Sequence, residues 1–101
     1  MNAELKKLQE ETGVHIWNGR AVVSSRDVAK NFGKRHDSVT RRIRSILSHD
    51  TEHYFSKSTF VHPTNKREYP EYLIDQGGFT LVLNRSYDRE TVYKYLNAFS
   101  K

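Results

Sequence analysis

Cysteine is absent from the 101-residue chain, which excludes disulfides and thiolate metal sites. No apolar run approaches the roughly 18 residues that a membrane span needs. The start, Met1-Asn2-Ala3-Glu4, lacks the apolar core of a signal peptide. These absences predict a cytoplasmic protein with no membrane contact. There is no glycine-rich phosphate loop and no nucleophile signature, so neither an enzyme nor a cofactor is expected. His49 and His53 are four apart with Asp50 and Glu52 between them. That run is not His-Glu-x-x-His and has no evident third ligand, so no metal site is expected. His36 beside Asp37 reads as a polar pair at a helix start rather than a proton-transfer pair. Repeats and linker-like segments are also missing. The expected organisation is a polar segment, 1–13, followed by a single domain, 14–101.

What the chain does have is basic charge in one place. The net charge is +5, yet residues 20–44 alone carry +6, while residues 1–19 sum to −1 and residues 45–101 to zero. The eight basic side chains there are Arg20, Arg26, Lys30, Lys34, Arg35, Arg41, Arg42 and Arg44. Basicity concentrated in this way is the electrostatic footprint of a polyanionic partner. A core is affordable alongside it, since 36% of residues are hydrophobic, with six Tyr and five Phe.

The residue patterns predict an α+β domain. Residues 2–12 are polar, with Leu5 and Leu8 for a short, loosely held helix. Asn18-Gly19 between β-prone runs signals a tight hairpin, because a type I′ turn needs positive φ at both central residues. Ser24 with Asp27 three residues on resembles a capping box, and a short helix follows through Val28, Ala29 and Phe32. Gly33 is placed to end it. A second helix is expected from His36 or Asp37 to about Ser48, because Val39, Ile43, Ile46 and Leu47 make one apolar stripe. Its opposite face carries Asp37, Ser38, Arg41, Arg44, Ser45 and Ser48, flanked by Thr40 and Arg42. Residues 54–74 read as a second hairpin turning at His62–Lys66, with Pro70 pointing to an edge strand. Asp75 is expected to cap a helix carrying Phe79, Val82 and Leu83. A last helix from about Asp88 places Val92, Tyr95, Leu96 and Phe99 on one face.

Two short helices joined at a glycine make a helix-turn-helix. Ala29, Gly33 and Val39 fit that motif's stencil: a small residue for close approach, a glycine for the turn, and an apolar anchor. The stencil prefers an apolar residue three after Val39, where this chain has Arg42. In such a motif the second helix enters the DNA major groove and residues near its start reach base edges. The expected base-reading residues are Ser38 and Arg41, with Arg42 and Arg44 available to bases or phosphates and His36, Thr40 and Ser45 on the same helix. Lys34 and Arg35 are placed for phosphate at the helix start. Lys66 and Arg67 on the second hairpin are expected to contact the neighbouring backbone as a wing.

The run Val23-Ser24-Ser25-Arg26-Asp27-Val28-Ala29, continuing Asn31-Phe32-Gly33-Lys34-Arg35-His36-Asp37, closely resembles the N-terminal signature of the phage regulatory protein Rha family. Glu68-Tyr69-Pro70-Glu71-Tyr72-Leu73 and Gly78-Phe79-Thr80-Leu81 resemble its later segments. The resemblance implies a phage- or prophage-encoded regulator with a winged helix-turn-helix DNA-binding domain, working at the nucleoid of the host bacterial cell. Such proteins are sometimes described as antirepressors. Double-stranded DNA is the expected partner. The alternative is an interaction module that binds a phage repressor protein instead, and Tyr87, Tyr93 and Tyr95 are candidates for either a homodimer face or the core. The chain departs from its relatives at Asn84-Arg85-Ser86-Tyr87-Asp88, where a Gly-Thr-Gly-like turn is usual, and at Gly77, where an acidic residue is expected.

Overall fold

Local signals set the element boundaries. The computed structural model describes residues 3–100. It opens with α1 (Ala3–Thr12), followed by β1 (His15–Trp17) and β2 (Arg20–Ser24). Asn18 and Gly19 both have positive φ, at 51° and 77°, as the tight hairpin between those strands requires. Ser24 then switches the chain into α2 (Ser25–Asn31), its side chain accepting from the Arg26 amide. Gly33, at φ 65°, turns the backbone through a conformation that side chains disfavour. This leads into α3 (His36–Ile46).

A single 3-10 turn at Glu52–Tyr54 precedes β3 (Phe55–Val61) and β4 (Glu68–Asp75). Asp75 accepts from the Gly78 amide at 2.9 Å to start α4 (Gln76–Val82). Asp88 does the same for Thr91 at 3.0 Å, starting α5 (Arg89–Phe99). The described residues thus form an α+β arrangement of five α-helices and a four-stranded antiparallel sheet, ordered β1-β2-β4-β3. No helix among them is long and apolar enough to cross a membrane.

That strand order corrects the expectation that β4 lies at an edge: it runs between β2 and β3. Pro70 is tolerated there because β2 pairs only with Leu73, Ile74 and Asp75. Amide directions alternate along a strand, and the Tyr72 amide points away from β3 to donate to Ser25 Oγ. Two residues earlier, the ring nitrogen of Pro70 points the same way, beyond the end of β2, where no ladder bond is lost.

The core lies between the sheet and the helices. Val23 and Ile74 from the sheet meet Val28, Val39, Ile43, Val82 and Phe99 from the helices. Phe32 and Phe79 stack near Tyr95, with ring centroids 5.4 and 4.9 Å from it. Tyr87 and Tyr95 are buried, so of the three late tyrosines only Tyr93 faces outward. α1 is held more firmly than its composition suggests. Leu8 packs against the core, Thr12 is buried, and Glu11 pairs with Lys94 of α5 at 3.8 Å.

Candidate nucleic-acid interface

The position of α3 follows from its two deepest side chains. Val39 and Ile43 are 1% and 0% exposed, each worth about 1.5–3 kcal/mol of burial. Ile46 and Leu47 pack at the core margin. Fixing that stripe inward turns Asp37, Ser38, Arg41, Arg44 and Ser45 outward, and all five are exposed. The Arg41 side chain is 74% exposed and lies 3.8 Å from the Asp37 carboxylate. Arg44 has no partner among the described residues. Arg35 is 82% exposed and reaches the same carboxylate at 3.1 Å. Exposed pairs of this kind contribute only about 0–1 kcal/mol, so an incoming phosphate can replace Asp37 at little cost. Arg35 makes no side-chain cap, which leaves the first amides of α3 open to an anion.

Four of the residues expected at this surface are engaged elsewhere, and a fifth, Ser45, stays exposed while its hydroxyl donates to the Arg42 carbonyl at 2.7 Å. Arg42 leans over the C-terminal end of α4, where its guanidinium donates to the Leu81 carbonyl at 3.2 Å and the Val82 carbonyl at 3.5 Å. Those are the carbonyls a helix end leaves unsatisfied, and the negative end of the helix dipole favours a cation there. Thr40 is buried and donates to the Asp37 carbonyl. Lys34 donates to Ser86 Oγ at 2.6 Å and sits over the Tyr87 ring.

His36 is half-buried, with Nε2 2.8 Å from Ser25 Oγ. That hydroxyl also accepts from the Tyr72 amide, so one oxygen links His36 to β4. Burial, followed by the nearby Arg26 charge, lowers the His36 pKa and favours the neutral ring. His36 thereby ties the start of α3 to α2 and β4.

The β3–β4 hairpin stands along one flank of α3. Asp37, Thr40 and Arg44 share an open groove of about 340 Å³ with Phe60, His62 and Tyr69 of the hairpin. Its turn is braced by His62 N–H to the Arg67 carbonyl at 2.9 Å and by the Asn65 amide to the Tyr69 hydroxyl at 2.9 Å. Lys66 and Arg67 are exposed in that turn. Two basic residues of α2 belong beside the expected set. Arg26 lies 3.6 Å over the Phe60 ring, and Lys30 is exposed one helical turn on. Their i, i+4 spacing is the sequence signal that places them on one face of α2.

The model of the family described as phage regulatory protein Rha matches residues 23–101, well over half of the chain. The chain belongs to that family. Rha membership suggests a phage regulatory role. The matched span runs from the end of β2 through α2, α3, the β3–β4 hairpin and α5, so it contains every residue of the surface described above. α1, β1 and most of β2 precede the Rha match. No curated protein and no solved structure matches the chain.

His49 and His53 are exposed, and His49 is 4.0 Å from Glu52. Among the described residues no three His, Asp or Glu side chains are grouped to hold a metal ion.

Proposed function

We propose that this Rha-family chain is a sequence-specific DNA-binding regulator of a phage or prophage, acting by binding and not by catalysis. α2 and α3 serve as a helix-turn-helix, with α3 in the major groove and the β3–β4 hairpin as a wing on the adjacent backbone. Ser38, Arg41 and Ser45 face the bases. Arg44 serves bases or phosphates, Arg35 meets phosphate at the start of α3, and Lys66 and Arg67 meet phosphates further along. The observation that carries this reading is the outward stripe of α3, in which Arg41 and Arg44 are exposed opposite the buried Val39 and Ile43. A guanidinium so placed can pair with guanine O6 and N7 in two parallel bonds.

The test is a titration of the chain against mixed-sequence duplex DNA at several salt concentrations. The logarithm of the binding constant is expected to fall steeply and linearly with the logarithm of salt, as phosphate neutralisation requires. Absence of binding even at low salt contradicts the proposal and turns the same arginines toward an acidic protein partner, such as a phage repressor.

A further inference from the structure

The flank of α3 opposite the hairpin is also basic. At about 100° per residue, Thr40 and Arg44 fall on one side of the outward stripe and Arg42 on the other. The Thr40–Arg44 side borders the hairpin groove, and the Arg42 side borders the end of α4. From that helix end the chain runs into the loop at 83–88 and the start of α5. These line a broad open concavity of about 750 Å³.

The concavity is furnished with hydrogen-bond donors. Arg85 and Arg89 line it, both exposed and without a partner among the described residues. Tyr93, one helical turn beyond Arg89, lines it too and is 57% exposed. Asp88 is the one acidic residue of the lining, and it is directed into its own helix start, accepting from both the amide and the hydroxyl of Thr91. Lys34 joins this surface to the beginning of α3 through its 2.6 Å bond to Ser86. The loop is fixed in place because the Tyr87 ring is buried against Phe32, with centroids 4.8 Å apart.

We infer that the 84–89 segment is a second phosphate-contact site, with Arg85 and Arg89 gripping duplex backbone on the side of α3 away from the hairpin. α3 is then bracketed by two backbone contacts. This inference rests on the DNA-binding reading above. Arg, Tyr and Ser side chains are the usual phosphate donors, and they fix register without reading sequence.

The test compares the full chain with a double variant, Arg85→Ala with Arg89→Ala, against the same mixed-sequence duplex across a salt series. Each lost phosphate contact lowers the salt slope by about 0.9, so the double variant is expected to lose about 2 units of slope while its thermal midpoint is kept. A control variant, Lys6→Ala with Lys7→Ala on α1, removes equal charge elsewhere and is expected to keep the slope. An unchanged slope in the arginine variant, or an equal fall in the lysine control, overturns this site and leaves the α3 reading standing. Failure of the unmodified chain to bind duplex at low salt overturns both.

Discussion

The guanidinium of Arg42 ends 3.2 Å from the carbonyl of Leu81, at the close of a different helix. Its neighbour Arg41 stands in solvent, and the exposed Asp37 is its one partner among the described residues. Two adjacent arginines on one helix therefore do different work. Arg42→Ala leaves two helix-end carbonyls without their donor and is expected to cost about 1–2 kcal/mol of folding stability. Arg41→Ala is expected to stay within about 0.5 kcal/mol of the parent. Urea unfolding of both variants checks the contrast, and equal stability for the two would contradict it.

Acid is expected to loosen the start of α3. The folded-state pKa of His36 is lowered, mainly by burial, so the fold favours the neutral ring. The unfolded chain then binds more protons in the window below the unfolded pKa of about 6.5. This contribution is complete above about pH 6.5 and is lost as pH falls through the lowered folded value. The groups facing His36 include Arg26 from α2, Glu71 from β4 and Asp37 from α3. His36→Gln removes the titration. Between about pH 7 and pH 5 the melting temperature of the parent should fall more than that of the variant. Parallel curves would show that His36 does not carry the effect.

Tyr95 closes a buried polar link between α5 and α2. The Asn31 amide donates to its hydroxyl at 2.7 Å, and the hydroxyl donates to the Asp27 carbonyl at 3.3 Å. Tyr95→Phe keeps the ring stacked on Phe79 but leaves both partners short of a bond. The expected cost is about 1–3 kcal/mol, measured by denaturant unfolding. A neutral substitution would mean that water replaces the hydroxyl.

The sequence displayed much of this arrangement because the signals involved are local. The Val39–Ile43 stripe located the outward face of α3, Asn18-Gly19 located the first hairpin, and Asp75 and Asp88 marked two helix starts. What stayed hidden depends on segments far apart in the chain. Helical periodicity assigns Arg42 to a flank, but nothing near it in sequence indicates that α4 ends alongside. The partners of Lys34 and His36 are likewise supplied by other elements. Pro70 read as an edge residue because β4 is paired on both sides only beyond it. Gly77 looked out of place, yet a β-carbon there would stand 2.5 Å from the Tyr54 ring, so the packing of the 3-10 turn leaves no room for an acidic side chain.

Selection of binding sites from random duplexes, run in parallel with the unmodified chain and Arg41→Ala, tests most directly whether α3 reads bases. The unmodified chain should return a defined site, and the variant should lose about 1–3 kcal/mol on that site and accept any base at one position within it. If Arg41→Ala weakens every duplex equally and leaves the selected sequence intact, then α3 holds the backbone without reading it, and the account is wrong at its centre.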